Sequence, residues 1–344
     1  MMNKFFSNIK EMFGTDIAMD LGTANTLVYI PSKGVFLNEP SIVAINTDGG
    51  KVQAVGLEAK KMFGRTHGKV KAVRPLKDGV IADFDTTNKM IAYFIEKSLS
   101  KFRFVNPRMV VGIPTCITQV EQKAVVEAAL NAKVREVHLI QEPMAAAIGA
   151  GIPIHKPEGN MVIDVGGGTT DVAVTSLSCI AYGESIRVGG DEMNEAIVRH
   201  MRLKHHLHIG IFEGERTKIK IGSAFPVNGN HSVQVRGLNV RTGVPQSLAV
   251  TEDEIRMAMK EPVTAIVEVV MRALEKTSPE LCADIHTNGI YLTGGGALIR
   301  GLDKLIEEQT GLKVYVPTDP LLSVVKGAAA VLKDFENMKE MCVN

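Results

Sequence analysis

Met161-Val-Ile-Asp164-Val-Gly-Gly-Gly-Thr-Thr-Asp-Val-Ala-Val174 is the stretch on which the fold turns. It is an aliphatic run, an acid, a turn of small residues and a second aliphatic run, which is the pattern of a β-hairpin. The same grammar occurs earlier, in Asp16-Ile-Ala-Met-Asp20-Leu-Gly-Thr-Ala-Asn25-Thr-Leu-Val-Tyr-Ile30. The two aspartates are separated by somewhat less than half the chain. The hairpins therefore belong to two successive halves, and two such turns facing each other across a cleft can hold one polyphosphate from both sides.

The residue types fit that chemistry. Glycine lets backbone N–H groups approach an anion and converge on it as a nest. Gly22 in the first turn and Gly166, Gly167 and Gly168 in the second supply that backbone, and Thr23, Asn25 and Thr169 add side-chain donors. A carboxylate repels phosphate unless a cation lies between them. Mg²⁺ prefers oxygen ligands and keeps several waters, so Asp20 and Asp164 are expected to meet it through water. Either turn alone could be an ordinary one with a buried, hydrogen-bonded aspartate. The repeat, with Gly-Gly-Gly-Thr-Thr in its second copy, favours the phosphate reading.

Composition narrows the classes. The chain has 344 residues, 45% of them hydrophobic, enough for one or two sizeable cores. Lys and Arg total 39 against 38 Asp and Glu, a net charge of +1, without the basic stripe of a nucleic-acid binder. Cys116, Cys179, Cys282 and Cys342 are scattered, with no zinc or redox spacing, as expected in a reducing cytoplasm. No apolar stretch reaches the roughly 18–20 residues of a membrane span, and the N-terminus lacks a secretion signal.

The remaining elements read as an α/β layered architecture in duplicate. Phe36 to Lys77 reads as a small α/β insertion. Helical periodicity runs from Thr86 to Lys101. Met109–Ile113 and Val137–Gln141 read as strands, and Thr118-x-x-Glu121 is a capping box opening a helix to about Ala132. Glu142-Pro143 opens an Ala-rich helix ending near Gly149. Gly189 to Gly243 is polar, Gly-rich and reads as irregular, a second small subdomain. Asp253 to Lys276 reads as one helix, Gly289–Thr293 as a strand, Ala297 onward as a helix, Lys313–Val316 as the last strand, and Asp319-Pro320 as the cap of a C-terminal helix of roughly 15–20 residues.

Other candidates carry competing readings. Glu142, between a strand and a helix start, could accept a hydrogen bond from a water aimed at a terminal phosphate, or could be a dipole-favoured N-terminal acid. Gly294-Gly-Gly296 could let a base or an α-phosphate lie close, or could be a tight strand-to-helix turn. His200, His205, His206 and His208 match no zinc spacing and read as a solvated helix end. The first thirteen residues are amphipathic: Phe5, Phe6, Ile9, Met12 and Phe13 share one helical face. They could lie in a membrane surface or pack on the domain. Phe102, Phe104 and Val105, beside Lys101 and Arg103, form a second apolar and basic spot, membrane-facing or tucked into the core. No G-x-x-x-x-G-K-[ST], G-x-S-x-G or H-E-x-x-H occurs.

These residues resemble the superfamily of actin, sugar kinases and heat-shock chaperone ATPases, and within it the bacterial actin homologues of the MreB family. The resemblance rests on Asp20-Leu-Gly-Thr-Ala-Asn25-Thr, Leu37-Asn-Glu-Pro-Ser41, Arg74-Pro-Leu-Lys-Asp-Gly-Val-Ile-Ala-Asp83, Glu142-Pro-Met-Ala-Ala-Ala-Ile-Gly149, Asp164-Val-Gly-Gly-Gly-Thr-Thr170 and Leu292-Thr-Gly-Gly-Gly-Ala-Leu298. It runs from about Asp16 to Leu332. It implies an actin-like ATPase fold: two duplicated lobes, each with a mixed sheet and flanking helices, plus two small insertion subdomains. The implied division is 1–36 with 71–145 and 320–344, then 37–70, then 146–185 with 247–319, then 186–246.

The resemblance further implies ATP with Mg²⁺, bound through Gly22, Thr23, Ala24 and Asn25 on one side and Gly166, Gly167, Gly168 and Thr169 on the other. Glu142 with Thr169 would position the attacking water. Gly295, Gly296, Ala297 and Leu298 would line the adenosine pocket. The family's Glu-x-x-Lys element maps onto Glu215, Arg216, Thr217 and Lys218, although the preceding Gly210-Ile-Phe-Glu-Gly214 is unusual. The implied function is a slow ATPase that polymerises with itself into paired filaments on the inner membrane face and directs the cell-wall elongation machinery to maintain rod shape. A small-molecule kinase would need a larger acceptor pocket, and a chaperone would need a substrate-binding domain.

Overall fold

In the computed structural model, which describes residues 16–66, 68–99, 105–115, 117–226 and 231–343, both hairpins form. Ile17–Leu21 runs antiparallel to Asn25–Ile30, with Asp20 opposite Leu27 and Leu21 opposite Thr26. Asn160–Val165 runs antiparallel to Thr170–Ser176, with Asp164 opposite Asp171 and Val165 opposite Thr170. Each pairing encloses a turn of the same length, Gly22–Asn25 in one and Gly166–Thr169 in the other, so the two hairpins share one register. Every residue of Ile17–Leu21 and of Asn160–Val165 is buried. That fits central strands covered on both faces, which read as unbroken apolar runs.

The chain divides into two units. One comprises the chain as far as Lys156, Leu177–Cys179 and the segment from Leu322 onward; the other comprises Pro157–Ser176 and Ile180–Leu321. The first unit has a six-stranded sheet in the order Cys342–Val343, Glu136–Gln141, Arg108–Ile113, Ile17–Leu21, Asn25–Ile30, Gly34–Pro40. The second has a five-stranded sheet in the order Cys179–Ile186, Thr170–Ser176, Asn160–Val165, Ile290–Thr293, Val314–Tyr315. In both, the first strand of the hairpin pairs in parallel with a later strand, Arg108–Ile113 or Ile290–Thr293, and a further parallel strand follows it. A parallel pair needs a crossover, and helices supply it.

Each sheet is covered by amphipathic helices. Met90, Ile91, Phe94 and Ile95 of Phe84–Ser98 are buried in one cluster with Met19, Val111 and Ile113. Ile197, Met201, Ile266 and Val270 are buried in another with Met161 and Ile163. A fully buried side chain of this size contributes about 1.5–3 kcal/mol. Two three-stranded sheets lie outside these layers. Val52–Val55, Val43–Asn46 and Val70–Val73 form one, and Leu207–His208, Ser232–Asn239 and Pro245–Thr251 form the other.

Several elements depart from the sequence reading. The stretch read as irregular after Gly189 contains the helices Gly190–His205 and Ile211–Ile221 and the strand Ser232–Asn239. Glycines at 189, 210, 214 and 222 resemble breakers, yet they sit at helix ends or at close packing contacts. The helix read over Asp253–Lys276 is two, Glu252–Ala258 and Lys260–Lys276, because Pro262 lacks an N–H and is tolerated only in a first turn. After Gly294 the chain makes a 3₁₀ turn, Gly295–Leu298, and only then the helix Leu302–Thr310, with Gly301 in the left-handed region at φ 75° between them. Val314–Tyr315 is not the last strand; Cys342–Val343 pairs antiparallel with Leu139 and Ile140. The C-terminal helix is shorter than read, Ser323–Lys333, and ends at Asp334. The helix read from Thr86 starts at Phe84, where the Thr86 N–H donates to Asp83 Oδ1 at 3.1 Å. The Thr118–Glu121 capping box forms as read.

In the first unit the helices Glu142–Gly149 and Ser323–Lys333 touch backbone to backbone. A Cβ on Gly149 would lie 1.9 Å from Ser323 O, and one on Gly327 would lie 1.8 Å from Ala145 O. In an exposed helix Gly→Ala adds about 1 kcal/mol of stability. Here we expect Gly327→Ala to overpack the crossing and cost about 1–3 kcal/mol instead. Urea unfolding of parent and variant checks this, since a midpoint equal to or above the parent's is incompatible with the contact.

Candidate functional site

The first turn is held from behind by Ser41. The Ser41 N–H donates to Ala24 O at 2.9 Å, and its hydroxyl donates to Gly22 O at 2.6 Å. The Thr26 hydroxyl is 2.9 Å from Ser41 Oγ. The Thr23 hydroxyl accepts from the Gly79 N–H at 3.2 Å. That donor sits in a tight hairpin whose Asp78 and Gly79 both have positive φ, 52° and 74°, which suits a two-residue primed turn. The Ile81 N–H then donates to Glu121 Oε1 at 3.1 Å, tying this hairpin to the capping box. The stretch Arg74–Asp83 thus fixes Thr23 in place.

Asp20 and Glu142 are both buried, 9% and 6% exposed. Asp20 is paired with Gly112, and Gly112 with Ile140, across three adjacent parallel strands. Glu142 opens the helix that follows the outer of these, with Pro143 in its first turn. A Cβ on Gly112 would lie 3.7 Å from Glu142 Cγ. Both acids therefore stand at the carboxyl ends of parallel strands, where α/β sheets place their ligands.

The second turn is closed by the Gly166 N–H, which donates to Thr169 O at 2.8 Å. The Gly190 and Asp191 N–H groups donate to Gly166 O and Gly167 O at 3.0 and 2.7 Å, and the Thr170 hydroxyl donates to Val188 O at 2.7 Å. The approach requires glycine: a Cβ on Gly189 would lie 2.8 Å from both Gly166 O and Gly167 O. The helix Gly190–His205 therefore starts against the turn. Lys218 reaches the same place, donating from Nζ to Gly190 O at 2.6 Å. A helix N-terminus and a lysine beside a glycine turn both favour an anion there.

Asp164 lies beneath this turn. The Thr293 hydroxyl is 3.0 Å from Asp164 Oδ1 and 3.1 Å from Ile163 O. Burial, and then the neighbouring Asp171 carboxylate, push the Asp164 carboxyl up to about 7, against the lowering effect of the Thr293 hydroxyl. Two acids opposed across a strand pair are destabilising when both are charged. The glycine run passes close over this acid. Gly294 has φ 81°, and a Cβ there would lie 2.7 Å from Asp164 Oδ1; a Cβ on Gly296 would lie 2.2 Å from Val165 Cγ1.

The residues singled out from sequence divide by unit. Gly22, Thr23, Ala24, Asn25, Asp20 and Glu142 come together in the first, and Gly166, Gly167, Gly168, Thr169, Asp164, Lys218 and the 3₁₀ turn Gly295–Leu298 in the second. Glu215 stands one helical turn before Lys218. Arg216 instead pairs with Glu213, with Nε 2.8 Å from Oε2, and donates to Gln234 O at 2.6 Å. Thr217 is buried, and its hydroxyl donates to Glu213 O at 2.7 Å. Leu298 is 62% exposed while Ala297 is buried. Phe5, Phe6, Ile9, Phe102 and Phe104 lie outside the described residues. Ser41, Gly79, Asp171, Gly189, Gly190 and Thr293 were missed. For Asp171 the signal was available, because the turn length fixes it opposite Asp164. For the others the partners are distant in sequence.

The duplicated hairpins, the parallel strands beside them and the glycine turns define an actin-like ATPase fold. The comparisons agree: MreB5 of Spiroplasma citri, solved bound to ADP, superposes with a TM-score of 0.90 at 34% identity, covering 95% of this chain and 98% of that one. MreB5 has also been solved bound to AMPPNP. A structure described as a MamK double helical filament shares the fold, with a TM-score of 0.79 at 20% identity, over 93% of this chain and 98% of that one. The family model described as "MreB/Mbl protein" matches residues 14–340. The cell shape-determining protein MreB of Escherichia coli (strain K12) is 48% identical over 338 residues, 97% of this chain and 96% of that one. The cell shape-determining protein Mbl of Bacillus subtilis (strain 168) is 45% identical over 327 residues, 95% of this chain and 98% of that one. The chain belongs to the MreB/Mbl family.

An acid held at a raised pKa in the folded state stabilises the fold below its unfolded pKa and loses that contribution as pH rises through the folded value. For Asp164 the window runs from about 4, the ordinary carboxylate value, to about 7. Without divalent cations, the parent's melting midpoint is expected to fall relative to that of Asp164→Asn across this window and to hold a constant offset above it. Parallel curves through the window would remove the raised carboxyl.

Proposed function

We propose that this protein binds and slowly hydrolyses ATP, and that the nucleotide drives its assembly into filaments that maintain cell shape. The observation that carries the reading is the turn Gly166–Thr169, backed by the N-terminus of a helix and by Lys218 and set above a buried acid. The names and ligands of the relatives support it. The turns Gly22–Asn25 and Gly166–Thr169 hold the phosphates through backbone N–H groups and the hydroxyls of Thr23 and Thr169. Gly295, Gly296, Ala297 and Leu298, with Glu215, Arg216, Thr217 and Lys218, form the adenosine side.

Mg²⁺ fits the donors present. Asp164, Asp171 and Thr293 offer only oxygen, and a cation offsets the burial and the Asp171 repulsion that raise the Asp164 carboxyl. Asp164 and Asp20 are the residues proposed to hold it through water. When bound it supplies charge neutralisation for the phosphates. Glu142 accepts a hydrogen bond from the attacking water, and the Thr169 hydroxyl helps to orient it.

Filaments of this kind are proposed to be paired and to lie on the inner membrane face, guiding the cell-wall elongation machinery. Among the described residues no helix is long and apolar enough to cross a membrane. The proposed lipid contacts are the apolar residues Phe5, Phe6 and Ile9 and the pair Phe102 and Phe104.

Sedimentation at rising protein concentration with ATP, combined with phosphate release, tests the assembly. Pelleting above a threshold concentration is expected, whereas a chain that stays monomeric and phosphorylates a sugar is a kinase. Glu142→Ala is expected to keep ATP binding and to slow phosphate release by about 10²-fold or more, the scale of a lost acid–base group. Unchanged turnover takes Glu142 out of the mechanism. Deleting residues 1–13, or Phe102→Ser, is expected to reduce flotation with anionic liposomes; if both variants float like the parent, the lipid contacts lie elsewhere.

A further inference from the structure

The histidines read from sequence as a solvated helix end converge on one acid. His200 Nε2 lies 2.9 Å from Glu254 Oε1, and His205 Nε2 lies 2.5 Å from the same oxygen. The three ligand atoms lie within 4.8 Å of one another. All three side chains are only partly exposed, at 23%, 22% and 13%. The fold builds this convergence. His200 and His205 sit in the last two turns of Gly190–His205, and His206 ends that helix in the left-handed conformation at φ 52°. Glu254 is fixed in the first turn of Glu252–Ala258, where the Thr251 hydroxyl caps its N–H at 3.4 Å. A spacing of five residues turns by about 140° around an ideal helix, so the two rings approach Glu254 from different sides. No H-x₃-H pattern announces such a site.

We propose that His200, His205 and Glu254 bind a divalent transition-metal ion of the zinc class. Two imidazole nitrogens and one carboxylate oxygen are the ligand set of open zinc sites, in which water completes the coordination. Imidazole selects zinc, cobalt and nickel over magnesium and calcium. One oxygen, Glu254 Oε1, is the point on which His200, His205 and Lys204 all converge. Closing ring nitrogens and oxygen onto a metal at about 2.0–2.2 Å replaces hydrogen bonds that already point at one spot. The fourth group there is Lys204, whose Nζ is 3.1 Å from Glu254 Oε1. Its ammonium competes with the metal for the carboxylate. The site joins the C-terminal end of the helix Gly190–His205 to the start of Glu252–Ala258, and a bound ion clips the two together. It is separate from the phosphate turn, which meets the other end of the first helix.

The full chain, stripped of metal, is titrated with Co²⁺ and read by visible absorption, and with Zn²⁺ in competition with a chromophoric chelator. One tight equivalent with the absorption of nitrogen and oxygen ligation is expected. His205→Gln and His200→Gln should each weaken it at least about tenfold. Lys204→Met should tighten it, an outcome that a purely structural hydrogen-bond cluster does not produce. Zn²⁺ should raise the melting midpoint of the parent and not of His205→Gln, with circular dichroism reporting that the variant is folded. The proposal is overturned if the parent binds no Co²⁺ equivalent, if the histidine variants bind as tightly as the parent, or if Lys204→Met leaves affinity unchanged.

Discussion

The carbonyls of Gly166 and Gly167 accept the first N–H groups of the helix Gly190–His205, and the arrangement of the second unit depends on that contact. It requires the chain at 189 to pass so close that a Cβ is excluded. It fixes the turn Gly166–Thr169 from behind. It also sets where the helix begins, and so where Lys218 finds its acceptor. The first unit solves the same problem with one residue, Ser41, whose hydroxyl donates to Gly22 O and whose backbone N–H donates to Ala24 O. Both solutions meet one demand: the carbonyls of a tight turn between buried strands must find donors.

The duplication is close in backbone and unequal in charge. The position opposite Asp20 is Leu27, while the position opposite Asp164 is Asp171. The second hairpin thus sets two buried carboxylates opposite each other, where the first sets an aspartate opposite a leucine. One hairpin register therefore carries two different side chains, Leu27 and Asp171, opposite its aspartate.

Close packing by glycine recurs where helices and turns meet. Gly149 and Gly327 let two helices touch along their backbones, and Gly294 and Gly296 let the last glycine turn lie on Asp164 and Val165. At these places the missing side chain is a structural requirement. Glycine content that looks like a signal for loops serves here as a signal for contact.

The sequence by itself determined both hairpins, their turn residues, the strands around Met109–Ile113 and Val137–Gln141, and the capping box at Thr118. These depend on periodicity and on hydrogen bonds between residues a few positions apart, which are written locally. The turns, Asp20, Asp164 and Glu142 were legible for the same reason. Tertiary structure alone decided the rest. It ended the C-terminal helix at Asp334 and brought Cys342–Val343 to the edge of a sheet, because packing and pairing with distant segments overrode local preference. It joined Gly79 to Thr23, Lys218 to Gly190 and two histidines to Glu254, contacts whose partners are 28 to 56 residues apart. A pattern of residue types cannot encode a meeting at that distance; only the folded chain specifies it.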